Sequence, residues 1–126
     1  MADAVVTLAA RKKMVMARAG AIELPPITGM AFGTGGVDES GVPIAPSGEA
    51  EGLRHEVFRK EVDRYLFTDD TTCRYLCTLV VGECDNEDIN ELGLYDAEGD
   101  LVAIKTFKSK GKDSDLEMTF QVDDIF

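Results

Sequence analysis

Tryptophan is absent from the 126-residue chain, and histidine occurs only once, as His55. With one histidine and neither a Ser-His-Asp order nor a nucleophile elbow, the sequence predicts no enzyme. Basic residues are also scarce, because 13 Lys and Arg stand against 24 Asp and Glu and give a net charge of −11. A nucleic-acid-binding protein needs a basic face to displace counterions, so we expect no nucleic-acid partner. The same deficit argues against binding to anionic membrane surfaces.

Long apolar runs are missing too, since no segment reaches the roughly 18 consecutive apolar residues of a membrane span. The basic cluster near the N-terminus follows the first apolar run, whereas a signal peptide has it in front. We therefore expect a protein of the reducing cytoplasm. Cys73, Cys77 and Cys84 are odd in number, which argues against a complete disulfide framework, and we interpret all three as buried apolar residues. No metal or other cofactor is expected.

Residues 8–19 (LAARKKMVMARA) predict a helix that ends at Gly20, a residue suited to the left-handed C-terminal cap. Thr7 or Asp3 is the candidate N-cap. The apolar arc of this helix comprises Val5, Leu8, Val15, Met16 and Ala19. Residues 34–52 contain five glycines and two prolines, and they predict a loop of a length that is usually functional or disordered.

The remainder is rich in β patterns. Residues 27–32, 73–81 and 116–122 read as strands, while residues 53–67 fit a helix or a strand. Residues 89–95 and 101–107 flank DAEGD and predict a hairpin with Gly99 at positive φ. We therefore predict one domain over residues 1–126, with a β-rich part at 53–126. Its fold class is α+β, with the N-terminal helix packed on an antiparallel β-sandwich or open barrel of about five to six strands.

The acidic residues around the hairpin allow several interpretations. Glu56 and Glu91 pair with Arg59 or Arg64 and fix the strand register, or Glu91 is simply solvated, as acidic runs such as DNEDINE usually are. Gly93 within a strand suggests a close approach of another backbone. The acidic residues of DAEGD mimic the start of a calcium loop. However, the residues that follow lack the glycine and the glutamate that such a loop needs, so turn formation explains them better.

Three stretches in order carry a family resemblance. INELGLYDAEGDLVA resembles the E-I-G-L-F-D-x-x-G-x-L-x-A signature of the N-terminal domain of phage tail-collar fibre proteins. TLAARKKMVMARAGAIELPPITGMAFGTGG is similar to that family's opening, and GLRHEVFRKEV to its L-x-x-E-V-Y-R segment. The resemblance singles out as structural residues Gly33, Gly35, Glu56, Arg59, Glu91, Gly93, Asp96 and Gly99.

The resemblance implies a structural protein of a phage or prophage tail that attaches or forms part of the fibre, collar or baseplate. Its partners would be tail-tip or baseplate proteins, with a homotrimer favoured among oligomers. It would be made in the bacterial cytoplasm and then join the virion tail. The sequence departs from the family in three places: Ala10 stands where glycine is frequent, Thr34 lies in the G-D-G segment, and no shaft follows Phe126. A stand-alone attachment module or a short baseplate or collar component is therefore expected. A non-viral module that binds a small ligand or carbohydrate is the alternative.

The basic N-terminal segment and the long loop are the candidate interface. Residues 1–20 hold four basic side chains but only one acidic residue, in contrast to the acidic remainder. A solvated helix face is the simpler interpretation, and docking on a neighbouring copy or a baseplate is the other. The interface candidates are Arg11, Lys12, Arg18, Gly36 and Gly41.

Overall fold

The structure is a computed structural model that describes residues 4–126. It contains one helix, α1 (Leu8–Arg18), and eight strands. The strands are β1 (Val5–Val6), β2 (Ile27–Gly33), β3 (Glu56–Glu61), β4 (Arg64–Asp69), β5 (Thr72–Leu79), β6 (Asp88–Asp96), β7 (Leu101–Gly111) and β8 (Met118–Ile125).

The strands form two sheets in which every neighbouring pair is antiparallel. The larger sheet has the order β1-β7-β6-β2-β3, and the smaller one has the order β4-β5-β8. The prediction of antiparallel β structure with one helix is confirmed, and the arrangement of the two sheets around one core is consistent with the predicted sandwich. The predicted count of five to six strands was wrong, because residues 53–69 divide into two strands and the short β1 adds another.

The main core lies between the two sheets. Phe32 of β2 contacts Phe120 of β8 edge-to-face, with ring centroids 5.5 Å apart, and Phe107 of β7 lies 6.1 Å from Phe120. Around these rings pack other fully buried side chains of both sheets, among them Met30, Cys77, Leu79, Ile89, Leu92, Leu94 and Val122. Their alternation along each strand places every second residue in the core. A smaller cluster of Ala31, Leu101 and Ile104 forms on the other face of the larger sheet.

The ambiguous segment 53–67 is β structure. Phe58 of β3 is paired with Phe32 of β2, and Tyr65 of β4 with Tyr75 of β5, so the two halves of the segment join different sheets. Tertiary pairing therefore decides what periodicity left open. At two other strand ends the predicted bounds were wrong, since Val81 and Leu116 lie outside the strands and are exposed.

The predicted ends of the helix are confirmed. The Thr7 hydroxyl accepts from Ala10 N–H at 3.1 Å, and Gly20 adopts φ +81° just beyond the last turn. Asp3, the other N-cap candidate, lies outside the described residues. No helix in residues 4–126 has the length and apolar character needed to cross a membrane.

The predicted apolar arc of the helix was wrong. Val15 is 70% exposed and Met16 46%, and Ala10 is the helical residue that is buried. The first turn is held instead by polar contacts, since the Thr7 hydroxyl donates to Leu101 O at 2.7 Å and Thr7 N–H donates to Val102 O at 3.0 Å. These bonds set the small Ala10 toward β7 and leave the larger apolar side chains outside.

The cysteines are buried to different extents. Cys77 is fully buried, and its burial raises the pKa of the thiol to about 12. Cys73 and Cys84 are half-buried, so the expectation of three core cysteines was right for one of them only. Cys84 also adopts φ +51° in the turn between β5 and β6, where packing is less regular than in a strand.

Gly99 provides the first testable prediction. It adopts φ +87° in the β6–β7 turn, and a Cβ there would meet nothing within 4 Å. Gly99→Val should therefore lower the free energy of unfolding by about 1–2 kcal/mol through backbone strain alone. Gly52→Val is the matched control, because Gly52 also has open space but no positive φ. Denaturant unfolding of both variants measures the difference, and equal losses would contradict this assignment.

Candidate functional site

The outer face of β6 organises the residues that the sequence singled out. Leu92 and Leu94 point into the core between the sheets, while Glu91, Gly93 and Tyr95 point to the other face. The loop between β2 and β3 covers part of this face through Ala50 and Leu53. The site is therefore built on one rigid strand and closed by an irregular segment.

The Glu91 carboxylate is the centre of this face. It is buried to 99% and accepts three backbone N–H groups, those of Gly35 (2.9 Å), Arg54 (2.9 Å) and His55 (2.8 Å). We call Glu91, residues 33–36 and residues 54–55 the Glu91 cluster. Charge-assisted hydrogen bonds of this kind are stronger than neutral ones. Because the donors come from both ends of the loop, one side chain fixes the loop where it leaves β2 and where it enters β3.

Glycines permit this close approach. A Cβ at Gly33 would lie 2.5 Å from Oε2 of Glu91 and 2.7 Å from the carbonyl oxygen of His55. A Cβ at Gly35 would lie 2.9 Å from the backbone nitrogen of His55, and one at Gly36 would collide with the carbonyl oxygen of Asn90. Gly36 N–H donates to Oδ1 of Asn90 at 2.7 Å. The three glycines of the Gly-Thr-Gly-Gly segment are thus required by packing.

Both earlier interpretations of Glu91 were wrong. It is neither solvated nor paired with an arginine, because the carboxylate is buried and accepts from three backbone amides instead. Glu56 does pair as predicted: Arg59 donates to both of its carboxylate oxygens at 2.9 Å. This pair lies within β3, so it does not join two strands.

Arg59 connects β3 to the hairpin. Its guanidinium lies 4.5 Å from the centroid of the Tyr95 ring and donates to the Gly99 carbonyl at 3.1 Å. The Tyr95 ring in turn covers Gly29, where a Cβ would collide with it. At Gly93 the neighbours of a Cβ would be the side chains of Leu101 and Leu53, so the close approach predicted there is by side chains.

A second buried carboxylate lies at the end of β6. Asp96 is 99% buried and accepts from the backbone N–H groups of Glu98 and Asp100, which forms the turn. The Lys13 ammonium of the helix lies 2.7 Å from Asp96, 2.8 Å from Asp100 and 3.1 Å from Glu98. A lysine therefore supplies the positive charge beside these three carboxylates, and this contact joins the helix to the hairpin.

The carboxylates keep Lys13 charged. Its partial removal from water lowers the pKa of the ammonium, but hydrogen bonds to Asp100, Asp96 and Glu98 outweigh that effect and raise it overall. A raised lysine pKa stabilises the fold at every pH below the ordinary value near 10.5, and this contribution is lost as the pH rises above it. The contact is therefore intact at neutral pH.

The interface candidates lie on the helix and the loop. Arg11, Lys12 and Arg18 are exposed, and Gly41 is exposed at φ +80° in a turn. Gly36 is buried, so any contact by this loop must come from its exposed neighbours. Helix and loop adjoin, since Leu8 N–H donates to Gly48 O at 2.6 Å. The loop is also tied to β7, where the Thr106 hydroxyl donates to Ile44 O.

Sequence reasoning missed three residues of this face, namely Lys13, Asn90 and Tyr95. One signal was available for Lys13: the three carboxylates of DAEGD at alternate positions require a nearby positive charge. Asn90 and Tyr95 carry no such signal, because their partners lie far away in the chain. In residues 4–126 no cluster of His, Cys, Asp and Glu is arranged to hold a metal ion.

The chain matches the model of a known protein family. The family model for the N-terminal domain of phage tail-collar fibre proteins matches residues 1–122. The chain belongs to this family. Its role is accordingly structural and lies in a phage tail, and the resemblance drawn from the three sequence stretches is confirmed. No curated protein and no solved structure matches the chain.

In a tail protein, the Glu91 cluster and the Asp96–Lys13 contact can be related to the surface that they shape. A tail protein acts through its surface, and both clusters determine the shape of one surface, that of the helix and the adjoining loop. Their chemistry is structural: each satisfies a buried carboxylate and fixes an element that sheet pairing does not hold.

Glu91→Gln should lower the free energy of unfolding by about 3 kcal/mol, because a buried amide cannot replace a carboxylate that accepts three N–H groups. Glu117→Gln, at an exposed position, is the control and should leave stability nearly unchanged. Urea unfolding measures both. Hydrogen exchange at Gly35, Arg54 and His55 should also accelerate in Glu91→Gln, and unchanged exchange there would refute the role of Glu91.

Lys13→Met should destabilise the protein by about 3 kcal/mol, because it leaves the buried Asp96 carboxylate without its counter-charge. Lys12→Met removes an exposed neighbouring lysine and should have little effect. The difference between these variants should shrink as the pH rises above the ordinary lysine value near 10.5, where the stabilisation from the raised pKa of Lys13 is lost. Thermal melts across this pH range provide the measurement, and a pH-independent difference would argue that only packing is lost.

Proposed function

We propose that this chain acts as a single attachment module that joins the fibre, collar or baseplate of a phage or prophage tail through protein–protein contacts. Membership in the tail-collar fibre family is the observation that carries the proposal. It also favours this role over the non-viral binding module that the sequence left open. On this proposal the chain is made in the bacterial cytoplasm and becomes part of the virion tail.

The docking surface in this proposal is the exposed side of α1 with the adjoining loop. A shallow groove of about 510 Å³ is lined by Arg11, Met14, Val15, Arg18 and Ala19. It combines exposed apolar side chains with two guanidinium groups, a composition typical of interface centres. The Lys13 and Thr7 contacts hold the helix in place, so docking would need little ordering of this surface.

Charge indicates the kind of partner. The exposed side of α1 is basic through Arg11, Lys12 and Arg18, so an acidic face of a tail-tip or baseplate protein, or of a neighbouring copy, is complementary to it. Contact between the basic helix of one copy and the acidic body of the next uses two different patches. Repetition of such a head-to-tail contact can close a ring. We propose a homotrimer on this basis, as the family resemblance implies.

The double variant Arg11→Glu/Arg18→Glu tests this surface. It should abolish binding to tail particles that lack the protein, and it should reduce the oligomer seen by light scattering, because it turns the basic surface acidic. Wild-type assembly should weaken as salt rises. Lys108→Glu/Lys110→Glu makes the same change in charge on exposed β7 residues and is the matched control. Equal tail binding by the two double variants would contradict the assignment.

A further inference from the structure

Within residues 4–126, no other segment covers the edge strand β4. All six of its residues are exposed, including Phe67 at 74% and Tyr65 at 60%, and its one strand neighbour is β5. Exposed apolar edge strands are templates for pairing with another chain, and natural proteins usually shorten, charge or cover them. The edge strand β1 of the other sheet has two residues, which is such a protection.

One face of β4 carries aromatic side chains. Tyr65 and Phe67 are opposite Tyr75 and Cys73 of β5, and their rings contact each other edge-to-face at 5.8 Å. They border a cleft of about 510 Å³ that Phe126 also lines. This face continues the inner surface of the sandwich beyond the part that the larger sheet covers.

The other face of β4 carries opposite charges at its two ends. Arg64 lies opposite Leu76 of β5, Leu66 opposite Arg74, and Asp69 opposite Thr72. These β5 residues alternate along the strand with Tyr75 and Cys73, which lie opposite the aromatic pair. Asp69 shares this face because the register shifts between Phe67 and Asp69. Along one face the strand therefore reads positive, apolar, negative, with Leu66 in the middle.

We propose that β4 pairs in antiparallel orientation with β4 of a second copy, about a two-fold axis at Leu66. In this register Tyr65 lies opposite Phe67 of the other copy on the aromatic face. Arg64 lies beside Asp69 of the other copy on the charged face. Both contacts then occur twice, as an isologous interface requires. Cross-strand aromatic and opposite-charge pairs are the favourable ones in sheets.

The sequence of β4 favours a second copy over an unrelated strand. A foreign partner would need no symmetry in β4, whereas a two-fold pairing needs the strand to complement its own reverse. Arg64 and Asp69 meet that condition, and so do Tyr65 and Phe67. The β4 contact uses a different surface from the helix surface of the proposed function. It joins two copies, or two of the assemblies that the helix surface forms, into a unit of twice the size.

A cysteine at the axis tests the register. In Leu66→Cys the two introduced thiols lie directly opposite, at a Cβ separation of about 5 Å, and should cross-link on mild oxidation. In the control Arg64→Cys the two thiols lie four residues apart along the strands, roughly 13 Å, and should not. Wild type under the same oxidant measures the background from Cys73, Cys77 and Cys84. Equal cross-linking of the two variants would overturn the proposal.

Mass provides the second readout. Leu66→Lys places two like charges at the axis and should halve the mass seen by light scattering, whereas Val81→Lys, at an exposed turn position, should not change it. A Leu66→Lys protein with the wild-type mass would overturn the proposal. Arg11→Glu/Arg18→Glu combined with Leu66→Cys should still cross-link, so a failure of the helix surface is distinguishable from a failure of β4 pairing.

Discussion

The surface of this protein depends on one buried carboxylate. Glu91 accepts three backbone N–H groups from the two ends of the 34–55 segment, which otherwise contains little regular pairing. A buried carboxylate without partners would cost several kcal/mol, and unbound backbone amides would add to that. The carboxylate and the amides therefore satisfy each other, and the glycines at 33, 35 and 36 allow them to come within hydrogen-bonding distance. A long loop becomes a defined surface without gaining a helix or a strand.

The buried charges of the chain are likewise compensated by nearby groups. The chain has an excess of acid, yet its two most buried carboxylates, Glu91 and Asp96, are compensated by amides and by Lys13 respectively. No buried polar side-chain atom in residues 4–126 lacks a hydrogen-bond partner. Lys13 is the helix cation that contacts the hairpin, whereas Arg11, Lys12 and Arg18 are exposed. One lysine thus positions the helix, and the basic surface beside it follows from that placement.

Structural features that depend on neighbouring residues could be predicted from the sequence, whereas features that depend on contacts between distant residues could not. The Thr7 and Gly20 caps, the Gly99 turn and the strand that contains Phe120 are each determined by a few neighbouring residues, and all are confirmed. Residues 53–67 stayed ambiguous because pairing with β2 and β5 decides their structure. Glu91 was misread for a related reason: its partners lie 36 to 56 residues away in the chain. The helix arc failed because Thr7 and Lys13, rather than apolar burial, orient α1.

The two sheets differ in how their edges are used, and this difference bears on assembly. The larger sheet begins with a two-residue edge, and its outer face is covered by the loop and contacted by the first turn of α1. In the part of the chain that the structure describes, the smaller sheet has no such cover over β4, although burying Phe67 and Tyr65 would be favourable. In a monomer this exposure is a liability to aggregation. In the proposed pairing of two β4 strands, a second copy covers this strand and removes that liability. On that proposal, the covered edge of the larger sheet serves the fold of the chain, and the open edge of the smaller sheet serves assembly.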